Sequence, residues 1–156
     1  MLNQEELEII KKTANEFFDK MGYSVETEAS SIERDNEDVL EINIKTPEAQ
    51  NLIGKQGLVL ADIQLLLRKV IKNKTNKEMY VSLDIDNYKK NKEDYLRDVA
   101  ESIADEVART GRDKEMPFTS SFDRRIIHTE LAKRSDVYTE SHGEGEERKV
   151  IVKPKY

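Results

Sequence analysis

Two apolar helical stripes meet at Gly54-Lys55-Gln56-Gly57, and this junction restricts the fold more than any other segment of the chain. On its N-terminal side, Thr46-Pro47 places proline at a first helical position, and the short helix predicted from there through Leu52 and Ile53 must stop at Gly54. On its C-terminal side, Val59, Ile63, Leu66, Leu67, Val70 and Ile71 repeat every three or four residues until the polar segment 72–76 ends the run. A chain that leaves one helix and enters another across two glycines turns sharply, and both stripes then need an apolar surface to cover them.

The flanking segments supply that surface. Asn3 and Glu6 have capping-box spacing, and Leu7, Ile10, Ala14, Phe17, Phe18 and Met21 follow at helical intervals until Gly22 closes the helix. Residues 23–32 read as extended. Leu40, Ile42 and Ile44 alternate with Glu41, Asn43 and Lys45 as a half-buried strand does, so these two segments form a hairpin around residues 34–38. Val81, Leu83 and Ile85 alternate in the same way. Residues 1–87 thus form a first domain, ordered helix, strand, strand, helix, Gly-x-x-Gly, helix, strand.

A linker over residues 87–91 is expected next, and then a helix over 91–110 with Leu96, Val99, Ala100, Ile103, Ala104 and Val107 on one stripe, closed by Gly111. Ser120 or Ser121 caps a further helix carrying Phe122, Ile126, Ile127 and Leu131, and segments 137–141 and 149–152 flank Gly143-Glu144-Gly145-Glu146 as a hairpin. The fold class is α+β with two small domains, 1–87 and 88–156, the second a small antiparallel sheet against two helices.

Composition narrows the chemistry. With no cysteine, disulfides, thiolate metal sites and a cysteine nucleophile are all excluded. The N-terminal residues lack a basic segment followed by an apolar run, and no stretch reaches the roughly 18 apolar residues of a membrane span, so a cytoplasmic protein without membrane insertion is expected. The net charge of −6 is unevenly spread: residues 1–41 carry 4 basic and 12 acidic side chains, whereas 42–77 carry 7 basic and 2 acidic. The basic block surrounds the two glycines, where the bland alternative is a solvated helix face.

Chemically, Gly54 and Gly57 let backbone approach a sugar–phosphate chain, the amides of the following helix favour phosphate oxygens, and Lys55 adds a point charge. Arg124 and His128, four residues apart, share one face of their helix, where a guanidinium fork grips phosphate and an imidazole donates to it or stacks on a base. Taken alone, such a pair is more often an ordinary surface feature.

Leu52-Ile53-Gly54-Lys55-Gln56-Gly57 resembles the KH signature, and the element order around it resembles the type II variant. Gln56 departs from it, since a second basic residue there would strengthen phosphate binding. This resemblance implies a clamp on single-stranded RNA, or single-stranded DNA, beside a groove for which Ile53, Leu58 and Ile63 are candidates, each equally compatible with ordinary core. Lys69, Lys72 and Lys74 extend the basic surface. Pro117-Phe118-Thr119 leading into Asp123-Arg124-Arg125-Ile126-Ile127-His128 is similar to the single-strand-binding domain named after its Arg-x-x-x-His pair, with Arg125, Lys133 and Arg134 as supplementary phosphate contacts.

The two together resemble the bacterial Jag/KhpB family, also called the sporulation-protein-IIIJ-associated family. The resemblance implies RNA binding that regulates cell division or envelope growth, a single-KH partner or a homodimer, and association with a membrane-protein insertase. Members commonly carry a further N-terminal domain that is not found in this sequence, and functions tied to that domain are not expected of it.

No constellation for catalysis is present. His128 and His142 are the only imidazoles, there is no nucleophile-elbow or P-loop sequence, and no cofactor or His-based metal spacing is found. The competing reading is a protein-interaction adaptor that uses acidic helices, with a vestigial nucleic-acid site.

Overall fold

A computed structural model describes residues 1–117 and 120–156; Phe118 and Thr119, in the segment leading to the Arg-x-x-x-His helix, lie outside the described residues. The chain divides into two compact units, Met1–Lys89 and Lys90–Tyr156, each with its own core.

Unit 1 runs α1 (Gln4–Lys20), β1 (Glu26–Arg34), β2 (Glu37–Lys45), α2 (Ala49–Ile53), a single 3₁₀ turn at Lys55–Gly57, α3 (Leu58–Thr75) and β3 (Tyr80–Ile85). The capping box forms: the Glu6 amide donates to Asn3 Oδ1 at 2.8 Å and the Asn3 amide to Glu6 Oε2 at 3.0 Å, satisfying two amides that the helix itself cannot. Ile10, Ala14 and Phe18 are buried at four-residue intervals, which aims one stripe of α1 at the sheet.

Strands β1 and β2 are antiparallel, joined at Asp35 and Asn36, both left-handed with φ of 54° and 64°, as a two-residue hairpin turn requires. β3 returns parallel to β2, with Ile42 opposite Leu83, because α2 and α3 carry the chain back across the sheet. Leu40, Ile42 and Ile44 of β2 share their buried face with Val81, Leu83 and Ile85 of β3, against α1 and α3.

Unit 2 comprises α4 (Tyr88–Thr110), β4 (Lys114–Glu115), α5 (Ser121–Leu131), β5 (Val137–His142), a 3₁₀ turn at Gly145–Glu147 and β6 (Lys149–Pro154). The antiparallel sheet has the order β4-β6-β5. Ala100, Ala104 and Val107 of α4 pack with Ile127 and Leu131 of α5, Met116, Val137, Val150 and Val152. The Ser120 hydroxyl caps α5, accepting the Asp123 amide at 3.1 Å.

Several boundaries differ from the sequence reading. The linker expected over 87–91 shrinks to a turn: Asp86 and Asn87 both adopt positive φ, and Asp84 Oδ1 accepts the Lys89 amide at 3.1 Å, so α4 starts at Tyr88. Pro47 does not open α2. Thr46 Oγ1 accepts the Glu48 amide in a turn, and the helix begins at Ala49. Helix α3 continues through Thr75, where Asn76 at φ 53° ends it. Strand β4 gave no sequence signal, since two residues are too few to show a period.

Candidate nucleic-acid interface

In unit 1 the two glycines of the loop adopt positive φ, 70° at Gly54 and 78° at Gly57, as does Gln56 between them at 54°. Space as well as conformation excludes side chains at both glycines. A Cβ on Gly54 would lie 2.8 Å from Val59 Cβ, and one on Gly57 would lie 3.0 Å from Tyr88 Cε1. Packing of the loop against its own helix and against Tyr88 presents the Lys55 and Gln56 side chains to solvent. Helix α3 has no side-chain cap at its N-terminus, so the amides of its first turn face the loop without a protein oxygen from a capping side chain.

The apolar candidates beside the loop separate. Ile53 and Ile63 are buried in the core of unit 1, 6% and 4% exposed, whereas Leu58 is 64% exposed at the start of α3. Lys69 and Lys74 are exposed, and Lys72 pairs with Glu78 at 3.1 Å. At the free edge of β3, Gln64 Oε1 accepts the Leu83 amide at 2.9 Å and the Lys89 ammonium at 3.1 Å. Burial holds the Lys89 ammonium below the usual lysine range, against the opposing pull of Asp84. Gln64, Tyr88 and Lys89 were not singled out by sequence reasoning, because their partners are set by the sheet edge and not by spacing.

In unit 2, Arg124 and His128 occupy successive turns of α5. His128 is held by strand β5: Nδ1 lies 2.6 Å from Thr139 Oγ1, and Nε2 lies 2.6 Å from Ser141 Oγ. Thr139 and Ser141 are two residues apart, so strand alternation puts both hydroxyls on the same face, spaced to meet both ends of the ring. Partial burial depresses the imidazole below its ordinary range, and the positive charges of Arg124 and Arg148 push it the same way. The ring is therefore neutral near pH 7.

Arg124 is half-buried, and its Nε is a buried donor with no partner among the described residues. Its neighbour Arg125 is exposed. Asp123 is buried and paired with Lys92 at 3.2 Å; the same ammonium lies 5.8 Å from the centre of the Phe122 ring.

The basic residues beyond the helix are internally engaged. Arg134 meets Glu101, Asp105 and Asp136, each at 2.7 Å, and these carboxylates hold its guanidinium more firmly protonated than usual. That network ties α4 to the start of β5, so the supplementary phosphate role expected for Arg134 is replaced by a structural one. Lys133 pairs with Glu130 at 2.7 Å. Thr139, Ser141 and Arg148 join the site without a sequence signal, since they lie 11, 13 and 20 residues from His128 and are brought to it by the sheet.

Among the described residues no group of three His, Asp or Glu side chains is placed to hold a metal ion, and no helix is long and apolar enough to cross a membrane.

Residues 94–154 match the family model of the Arg-x-x-x-His domain. The chain is 33% identical over 135 residues to the RNA-binding protein KhpB of Clostridium symbiosum, a match that covers 86% of this chain and 60% of that protein. It is 34% identical over 111 residues to KhpB of Lactiplantibacillus plantarum, covering 71% of this chain and 34% of that one, and 29% identical over 115 residues to KhpB of Bacillus subtilis, covering 72% and 55%. The chain thus spans between about a third and three fifths of the length of these relatives.

Proposed function

The chain belongs to the Jag/KhpB family, and on that premise we propose that it binds single-stranded RNA at two places, the Gly54-Lys55-Gln56-Gly57 loop of a type II KH unit and the Arg124/His128 face of the Arg-x-x-x-His unit. The observation that carries the reading is Arg124: a half-buried guanidinium with an unpartnered buried Nε stands beside a neutral imidazole, while Arg134 and Lys133 nearby are taken up by carboxylates. A desolvated donor without a protein acceptor is completed by an external one, and a phosphodiester oxygen matches it in charge and geometry. The relatives' shared name, RNA-binding protein, supports RNA as the polymer.

In unit 1, Lys55 supplies charge at the loop tip, the α3 amides supply dipoles, and Leu58 supplies the exposed apolar contact. Ile53 and Ile63 support that surface from beneath. Lys69 and Arg125 are exposed cations that add to the field. The protein acts as a binder and not a catalyst. Regulation of cell division or envelope growth, work in the cytoplasm, a single-KH partner or homodimer, and association with an insertase belong to the same proposal and rest on the family resemblance alone.

Fluorescence anisotropy with a randomised single-stranded RNA pool tests the reading, comparing the parent chain with Lys55→Asp/Gln56→Asp and with Arg124→Ala/His128→Ala after circular dichroism has verified folding. Loss of affinity in folded variants is expected, with a steep fall as salt rises. No binding by the parent chain at low salt would refute it. A second reading, a protein-contact role for α3, draws on the exposure of Leu58, Leu65 and Leu66, and binding insensitive to salt would favour it.

A further inference from the structure

The hydroxyl pair that grips His128 has a consequence for what the Arg124/His128 face can offer an anion. A neutral imidazole has one N–H and one lone pair in the ring plane. With both nitrogens 2.6 Å from a hydroxyl oxygen, one hydroxyl must donate its hydrogen to the ring while the other accepts the ring N–H. Only one hydroxyl hydrogen is then free to point elsewhere. If the ring gains a proton, both nitrogens donate, both hydroxyls become acceptors toward the ring, and both of their hydrogens turn outward as donors.

We propose, resting on the assignment of this face to RNA, that Thr139 and Ser141 are phosphate-contacting residues of the Arg-x-x-x-His unit and that binding of a phosphodiester there is coupled to uptake of one proton by His128. The balance is simple: one proton comes from solvent to the ring, no covalent bond changes, and two O–H groups rotate toward the anionic oxygen. Thr139, Ser141 and His128 are all half-buried and therefore reachable by a ligand. Arg124 and Arg148 bring positive charge to the same place.

Charges around the ring set the direction of the coupling. From its own helix the ring faces Arg124, and from the segment before β6 it faces Arg148. Along β5, Glu140 and His142 alternate to the opposite strand face, where Glu140 is taken by His142 at 2.8 Å and Lys153 at 3.0 Å. On α5, Asp123 is held by Lys92, and Glu130 by Lys133 and, at 3.5 Å, by Arg97. Among the described residues, then, no carboxylate is paired with the ring. The free protein holds the imidazole neutral through burial and two cations. An anion laid across Arg124 and Arg148 removes the repulsion and supplies a counter-charge, so the bound form takes up the proton.

The test is a titration of the full chain with a fluorescein-labelled oligouridylate of about 12 nucleotides, followed by anisotropy from about pH 5.5 to about pH 8 at constant ionic strength. His128 is followed in parallel by NMR in a His142→Gln background, which leaves a single imidazole to observe. Affinity is expected to rise as pH falls, by up to about tenfold per pH unit between the titration points of the free and bound ring. The His128 titration point is expected to move up on saturation with RNA. His128→Gln flattens the pH profile, and Thr139→Val/Ser141→Ala removes the gain at low pH. Arg124→Ala weakens binding at every pH and so reports on the RNA assignment itself. A flat profile with an unmoved His128 titration point, in a protein whose binding Arg124→Ala still weakens, overturns the coupling and leaves the RNA site standing. Absence of binding at any pH overturns both.

Discussion

Gly57 and Tyr88 meet so closely that a methyl group on the glycine would stand 3.0 Å from Cε1 of the ring, which makes the second glycine of the loop a packing requirement as well as a conformational one. The aromatic ring and the loop backbone hold each other in place, and the Lys55–Gln56 tip projects from a buttressed base.

Gly57→Ala is accordingly expected to destabilise unit 1 by about 1–2 kcal/mol from the positive φ alone, with a further loss from the encounter with Tyr88. Urea unfolding of Gly57→Ala, Tyr88→Ala and the double variant separates the two contributions. A double-mutant cycle in which Tyr88→Ala relieves part of the Gly57→Ala loss supports the packing argument, and strict additivity contradicts it.

Gln64→Ala should free the Leu83 amide and deprive the Lys89 ammonium of an acceptor. Leaving a part-buried donor unpaired costs about 1–3 kcal/mol, and β3 is the sheet edge where such a donor invites strand addition. Hydrogen exchange at the Leu83 amide, slow in the parent chain, is expected to accelerate in the variant while amides in the centre of β2 change less.

Arg134→Gln removes the charge shared by Glu101, Asp105 and Asp136. These carboxylates then repel one another across the junction of α4 and β5. A lower thermal midpoint is expected with unaltered RNA affinity, because this guanidinium serves the fold. A drop in affinity without a drop in midpoint would restore the phosphate-contact role.

The depressed imidazole of His128 also fixes the sign of a stability change with pH. Its ordinary value is 6.5 and the folded protein holds it lower, so the unfolded chain binds the proton more readily. The stabilisation is fully present above pH 6.5 and is lost as pH falls from there through the folded-state value. Urea midpoints measured across that window are expected to decline more steeply for the parent chain than for His128→Gln, and equal slopes would remove His128 as the cause.

Much of this architecture is written locally. The capping box at Asn3 and Glu6, the stripes of α1, α3 and α4, the alternation of β2 and β3, and the turn at Gly54 and Gly57 each depend on neighbours within a few residues, so their periods are visible along the chain. The i, i+4 placement of Arg124 and His128 on one helix is local in the same sense. Tertiary structure decided what those groups touch. Sheet register brought Thr139 and Ser141 to the two nitrogens of His128, three carboxylates claimed Arg134, and the core took Ile53 and Ile63 while Leu58 remained outside. Helix and strand periods arise from bonding along the backbone and repeat over short stretches, whereas a partner supplied by another strand depends on where the whole chain closes, and no short stretch of sequence carries that information.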